Sequence, residues 1–577
     1  MKRPFNAPDE FVVGFFKSTQ SLWQGFAKAA VAPGAAPASP DEAALEALSR
    51  RAQRLGLLQL DYLEKQTALW ASAFGGTPAK APAVVATDAG DRRFSAAEWR
   101  DNPTYSLLKQ CYLLNARLIG DVVEAVDLEP RAKRRLRFYA RQFVDLASPA
   151  NFVATNPDVA KLAVETQGES LRTGLANLIA DLDKGGVSIT DETAFEVGRN
   201  VAVSKGAVVF ENELFQLIQY APLTETVASR PLVIVPPCIN KFYILDLQPE
   251  NSFVRFAVEA GLTVFVVSWR NPDASCDDLT WEDYVAIGAM KAIDLALVIS
   301  QADKVNAIGW CVGGTILSCA LAILRVHGDD RIASVTLLTT LLDYEDPGDL
   351  GVFVDEQGVV QREQTIGRRG IYPGAELAFV FQTLRANDLI WPNVINNYLK
   401  GKSPPPFDLL YWNADVTNLS GPMYAYYLRN MYLENNLRIP GRLTLCGTPV
   451  DLRRVDMPSY ILGTQEDHIV PWCSAYRSTQ LFGGPSQFVL GASGHIAGVV
   501  NPAKKNKRKF WIDGPLDGDA EDWLAGAREA PGSWWSHWLN WLNANRGESV
   551  PARVKLGAAG FPEVEAAPGR YVKARAK

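Results

Sequence analysis

Ala307-Ile308-Gly309-Trp310-Cys311-Val312-Gly313-Gly314-Thr315 decides how this chain is read. A β-rich apolar run, Val305–Ile308, leads into it, and an apolar helical pattern, Ile316–His327, leads out. A strand turning sharply into a helix needs unusual backbone angles and a close helix–strand approach, which glycine tolerates best. The spacing is G-x-C-x-G-G, a nucleophile elbow with cysteine in place of serine. Cys311 would project above a sheet at the N-terminus of a helix, whose dipole favours a thiolate. In isolation the segment also fits a buried structural cysteine beside a glycine turn; the flanking strand and helix favour the functional reading.

Outward from the elbow, short apolar runs alternate with helical segments: Pro231–Val235, Leu262–Ser268, Val305–Ile308, Ile332–Thr340, Tyr460–Gly463 and Gln487–Leu490. Such alternation implies βαβ units and a mostly parallel sheet, an α/β fold. It stops between Thr340 and Met457, a stretch rich in Tyr, Trp, Asn and Pro, which reads as an insertion over about 341–456. Before Lys184-Gly185-Gly186 the patterns are helical, from about Asp41 to Phe74 and from about Pro103 to Leu182. Phe11, Val12, Phe15, Phe16, Leu22, Trp23 and Phe26 recur at helical spacing over residues 9–30, ahead of an Ala/Pro-rich linker. The expected organisation is an amphipathic helix and linker over 1–40, a mainly helical domain over 41–185, and an α/β domain over 186–577 carrying the insertion. The tail from about Glu548 is Ala/Pro/charge-rich and is expected to be mobile.

Composition narrows the function classes. The 577 residues are 47% hydrophobic and 21% charged, ordinary for a soluble globular protein. A net charge of −6 gives no support for nucleic-acid binding. The N-terminus lacks an apolar h-region and the chain lacks a long apolar run, so neither a signal peptide nor a membrane span is expected. Seven scattered cysteines without a CxxC suggest free thiols in a reducing cytoplasm.

Four histidines limit the choice of base. In α/β-hydrolases the chain order is nucleophile, acid, histidine. Gly494-His495 follows the strand at Gln487–Leu490, so His495 is the candidate base; Asp467, on the loop after Tyr460–Gly463, is its candidate orienting carboxylate. Glu466 or His468 could share that role, His468 ranking as a neighbour that shapes the site. His327, before Gly328, reads as a helix end, and His537, among Trp534, Trp535, Trp538 and Trp541, as packing. An oxyanion site would use the Val312 N–H and that of Cys238 or Ile239, in the loop Pro236-Pro237-Cys238-Ile239-Asn240-Lys241, with Asn240 as a further substrate contact.

Together these residues resemble the polyhydroxyalkanoate synthases. The resemblance runs from Asp91-Arg92-Arg93-Phe94 to Trp541. It takes in Ser148-Pro149-Ala150-Asn151-Phe152, Gly206–Asn212, Pro236–Tyr243, Ser268-Trp269-Arg270-Asn271-Pro272, the elbow, Phe407–Asn413 and Ser493–Gly498. Length and elbow look like class I enzymes, the poly(3-hydroxybutyrate) type, which act alone on short-chain (R)-3-hydroxyacyl-CoA; the family usually has Phe where Trp310 stands. The resemblance implies an α/β-hydrolase fold catalytic domain with a cap (lid) insertion after a mainly helical N-terminal domain. It implies Cys311, Asp467 and His495 as a catalytic triad that polymerises hydroxyacyl units and releases CoA through a Cys thioester. It further implies a homodimer on cytoplasmic polyhydroxyalkanoate granules, with granule proteins such as phasins as partners. No metal or other cofactor is expected, CoA being part of the substrate.

A cysteine suits a thioester substrate, because transfer to Cys311 makes another thioester and keeps the acyl group activated. The insertion's aromatics (Tyr372, Phe379, Phe381, Trp391, Tyr398, Tyr411, Trp412, Tyr424, Tyr426, Tyr427) fit a water-excluding lid or, for most of them, the insertion's own core. Lys504-Lys505-Asn506-Lys507-Arg508-Lys509 fits either attraction of CoA phosphates or a solvated patch, and the N-terminal helix either granule docking or packing. Two rival classes remain: a Cys-dependent ester or lactone hydrolase, or polymer depolymerase, and a granule-coating protein with a dead hydrolase fold. The intact order Cys311, Asp467, His495 argues against the second.

Overall fold

The computed structural model describes residues 42–74, 83–88 and 91–576. The expected amphipathic helix over 9–30 and its linker lie outside the described residues. The chain divides into two compact units: residues up to Ile189 together with Arg385–Pro404, and Thr190–Leu384 together with the chain from Pro405.

The first unit is helical. Its helices Pro103–Ala125, Pro130–Leu146 and Pro157–Glu165 each begin with proline, whose fixed φ and missing N–H suit the first turn. Asn102, Glu129 and Asn156 cap the free N–H groups that follow. The small core joins Phe94, Trp99 and Ala150, with Phe94 and Trp99 edge-to-face at 5.0 Å. Arg93 chelates Asp91 and reaches the buried Asp145 at 3.3 Å. Segment 385–404 was expected wholly within the insertion, but it belongs to this unit. Asn387 Nδ2 donates to Asp145 (2.7 Å), and Tyr398 OH donates to Asp181 (2.6 Å). Gly174 admits the Tyr398 backbone, which any side chain there would displace.

The second unit is built on an eleven-stranded sheet. We number its strands β1 Gly206–Glu211, β2 Phe215–Tyr220, β3 Leu232–Val235, β4 Val264–Trp269, β5 Val305–Trp310, β6 Ile332–Leu338, β7 Ser459–Thr464, β8 Ser486–Gly491, β9 Lys509–Ile512, β10 Arg528–Pro531 and β11 Glu565–Ala566. Their order across the sheet is β10-β9-β8-β7-β6-β5-β3-β4-β2-β1-β11. The inner strands β4, β3, β5, β6, β7 and β8 are parallel, and the flanking ones are antiparallel. Strands β3, β4, β5 and β7 are buried throughout, as helices cover both faces, which is why they read as nearly continuous apolar runs. The helix after β5, Val312–Val326, is buried from Val312 to Leu324. Each of its large apolar side chains, such as Ile316 and Leu321, contributes about 1.5–3 kcal/mol by burial.

The tail expected to be mobile is built into this unit. Strand β1 would be an open edge, and β11 pairs with it, Ala567 N donating to Gly206 O (2.9 Å) and Val564 N to Val208 O (2.8 Å). Gln216 Nε2 reaches Glu565 (2.6 Å) and Tyr571 OH reaches Asn212 O (2.8 Å). Among the described residues, no helix is long and apolar enough to cross a membrane.

Candidate active site

The elbow is shaped by its glycines. Cys311 has φ 51° and ψ −128°, between β5 and the helix Val312–Val326. Such a backbone costs about 1–3 kcal/mol and persists only where the surroundings hold it. Here Cys311 N donates to Leu338 O and Gly314 N to Cys311 O, both at 2.9 Å. A Cβ on Gly309 would overlap the Gly314 Cα, one on Gly314 the Thr340 side chain, and one on Gly313 the Val235 and Pro236 carbonyls. The three glycines therefore let the helix start directly against β5, β6 and the loop Pro236–Lys241.

Strand ends supply the partners. β7 and β8 are parallel neighbours, so the turns after them meet. Asp467 lies three residues beyond Thr464, the end of β7, and His495 four beyond Gly491, the end of β8. His495 Nδ1 is 2.7 Å from Asp467 Oδ2, and both residues are 7% exposed. The other carboxylate oxygen accepts from the Ile469 and Val470 amides, each at 2.9 Å, and Thr464 Oγ1 donates to Oδ2 at 3.2 Å. Cys311 lies close enough to the imidazole to act on its charge. Burial, the largest single influence on His495, disfavours its charge; Asp467, then Cys311, outweighs it and raises its pKa from 6.5 to about 10.

The structure thus brings Cys311, Asp467 and His495 together. Glu466 is exposed. His468 anchors the turn through its carbonyl, which accepts from Asp349 N at 2.8 Å. His327 ends the elbow helix and meets Thr448 Oγ1 at 2.9 Å, and His537 meets Tyr460 OH at 3.1 Å. Val312 carries the first N–H of the elbow helix, which has no partner one turn back. Cys238 is 2% exposed, and burial pushes its thiol pKa up, with the charge of Cys311 adding to the effect, which puts its loop near Cys311. Ile239 and Asn240 line a small cleft with Leu377, Phe381, Asn413 and Val416.

Several contributors were not singled out in the sequence. Thr464 and the Ile469 and Val470 amides fix Asp467; a Thr closing a strand three residues before the acid was the available signal. A buried hydroxyl chain underlies the elbow, Thr315 Oγ1 meeting Tyr344 OH at 3.2 Å and Tyr344 OH donating to Tyr427 OH at 3.3 Å. Of the insertion's aromatics, Tyr372 stacks on Tyr424 at 4.2 Å and Tyr427 on Trp281 at 5.2 Å, while Trp391 and Tyr398 fall in the helical unit. The basic run is mostly engaged locally: Lys504 with Glu259, Lys505 with Asn251, Lys509 with Glu529, and Arg508 with the Ala497 carbonyl. Trp310 is fully buried, its indole N–H donating to Thr339 Oγ1 at 3.0 Å. All seven cysteines are unpaired. Among the described residues, no group of three His, Cys, Asp or Glu side chains could hold a metal ion.

A parallel sheet, a strained turn into a buried helix, and an Asp–His pair on the next strand ends define the α/β-hydrolase fold, here with cysteine at the elbow. Residues 231–502 match the family model described as alpha/beta hydrolase fold, and residues 90–257 match the Poly-beta-hydroxybutyrate polymerase (PhaC) N-terminus. The Poly(3-hydroxyalkanoate) polymerase subunit PhaC of Cupriavidus necator is 53% identical over 548 residues, 94% of this chain and 92% of that one. The Poly(3-hydroxyalkanoate) polymerase of Methylorubrum extorquens is 45% identical over 88% of this chain and 85% of that one. Poly(3-hydroxyalkanoate) polymerase 1 of Ectopseudomonas oleovorans is 39% identical over 85% and 88%. This chain belongs to the poly(3-hydroxyalkanoate) polymerase family of acyltransferases.

Proposed function

We propose that the chain polymerises short-chain (R)-3-hydroxyacyl-CoA, such as 3-hydroxybutyryl-CoA, through a covalent thioester on Cys311. The observation that carries this is the relay Asp467–His495–Cys311, with His495 held at 2.7 Å from the carboxylate. His495 carries the proton taken from the thiol, as its raised pKa favours, and Cys311 Sγ attacks the thioester carbonyl. The amides of Val312 and of Cys238 or Ile239, with Asn240 as a further contact, receive the developing oxyanion. Collapse expels CoA, which takes the proton from His495. One thioester bond is exchanged for another, so the acyl group stays activated. His495 then takes the proton from the 3-hydroxyl of another acyl unit. The alkoxide attacks the carbonyl on sulfur, an ester bond forms, and the thiolate is released. The steps use only side chains, backbone amides and the CoA substrate itself, so no cofactor is invoked.

The short-chain assignment is supported by the match to a family model described by poly-beta-hydroxybutyrate. We read the enzyme as a cytoplasmic homodimer on the polymer granule, with phasin-like partners; exposed Leu57 and Leu60 on the helix Glu42–Phe74 support an apolar contact surface. The test is to supply 3-hydroxybutyryl-CoA and compare CoA release with insoluble polyester. Matched CoA and polymer are expected; free hydroxy acid without polymer would contradict the proposal.

A further inference from the structure

The loop Pro236–Lys241 is held from several sides. Trp269 Nε1 donates to Pro236 O at 2.8 Å, Trp412 Nε1 donates to Lys241 O at 2.7 Å, and Asn240 bridges to Val416 in the antiparallel sense. The remaining tie is a charge. Lys241 is 3% exposed, and its ammonium donates to the backbone carbonyl of Ala574, near the far end of the chain. Burial disfavours that charge, Asp415 offsets part of the cost, and Arg575 adds a smaller repulsion. Arg575, next along the tail, reaches Tyr411 OH and Glu192, each at 3.4 Å. The C-terminal strap is thereby fastened to the helix Asp408–Ala414, whose Trp412 also grips the loop.

For filling space alone, a buried lysine is a poor choice. An apolar side chain of the same length would avoid the desolvation of an ammonium. What the ammonium adds is a directional tie between the loop and the strap. Lys241 lies two residues after Ile239, so a tie at this position bears on where the Cys238 and Ile239 amides stand. Oxyanion donors act only when held about 2.7–3.1 Å from the developing charge. A loop that drifts by about an ångström loses much of their effect.

We propose that Lys241, anchored on the Ala574 carbonyl, is a positioning residue that holds the Cys238 and Ile239 amides in register with Cys311. This rests on the proposed oxyanion role of that loop. Its signature is a fall in turnover without a matching change in substrate affinity, because the tie matters most when the oxyanion forms.

The experiment uses full-length Lys241→Met, Lys241→Arg and Arg575→Ala, with CoA release from 3-hydroxybutyryl-CoA as the readout and thermal unfolding alongside. Lys241→Met is expected to lower kcat about 10- to 100-fold with KM within about 2-fold of wild type. Lys241→Arg, which keeps a donor, should recover part of kcat, and Arg575→Ala should show a smaller loss in kcat at constant KM. Unchanged kcat in Lys241→Met, or a loss that only follows the unfolded fraction, overturns the inference. If Lys241→Met does not fold, Arg575→Ala decides: reduced kcat at constant KM supports the tie, and wild-type kcat overturns it. Cys311→Ala is run in parallel. Activity retained there contradicts the proposed function, whereas an inactive Cys311→Ala beside a normal Lys241→Met contradicts only the inference about Lys241.

Discussion

His495 and Asp467 stand 2.7 Å apart on turns that follow adjacent parallel strands, with Cys311 close to the imidazole. The carboxylate fixes the ring through Nδ1 and so leaves Nε2 for the sulfur. Asp467→Asn keeps the shape but favours the wrong tautomer. Its CoA release should fall by about 10³- to 10⁴-fold with the fold intact, measured by steady-state kinetics and circular dichroism. A loss below about tenfold would mean that the carboxylate does not orient the base.

The same pair makes stability depend on pH. Burial opposes the charge on His495, but Asp467 and Cys311 raise its pKa to about 10. In the unfolded chain the ring returns to about 6.5. The folded form therefore holds an extra proton between these values. The resulting stabilisation is complete below pH about 6.5 and is lost as pH rises through about 10. Denaturant titrations should show the stability of wild type relative to His495→Gln shrinking over that window. A difference that grows with pH would contradict the assignment.

Gly313 admits the helix start to the Val235 and Pro236 carbonyls, which leave no space for a Cβ. Gly313→Ala should destabilise the second unit by about 1–3 kcal/mol and reduce CoA release even under conditions where it is folded. Gly120→Ala, in an open position on the helix Pro103–Ala125, is the control. It should be neutral or stabilising by up to about 1 kcal/mol in thermal unfolding.

In the helical unit, Arg93 is the cation beside the buried Asp145. Arg93→Met leaves that carboxylate to Asn387 and the charge of Arg141 and should cost about 1–3 kcal/mol, seen as an earlier unfolding transition and faster proteolysis of the N-terminal region. An unchanged transition would mean that Asn387 and Arg141 suffice for Asp145.

The sequence made the inner sheet legible because doubly covered parallel strands leave continuous apolar runs, and β3 to β8 fall on such runs. The elbow was legible for the same reason that it works: only glycine permits the close approaches at 309, 313 and 314. Asp467 and His495 could be picked out because each follows a strand end, although their bond depends on β7 and β8 being neighbours, which periodicity does not show. β1 pairs with β11 across most of the unit's sequence, a contact that no local pattern in the tail marks. Segment 385–404 carries no periodic mark of the unit to which it belongs; Asn387 and Tyr398 find it partners in the distant helical region. Nothing in Ile239-Asn240-Lys241 indicates that the lysine faces inward, since its acceptor is a backbone carbonyl near the other end of the chain.

The most direct test concerns the sulfur itself. Enzyme mixed with 3-hydroxybutyryl-CoA is quenched in acid, digested and examined by mass spectrometry. The account predicts hydroxybutyryl units on the peptide containing Cys311, removed by hydroxylamine and missing from Cys311→Ala. An unmodified Cys311 peptide during active turnover, or an acyl group on another residue, would contradict it.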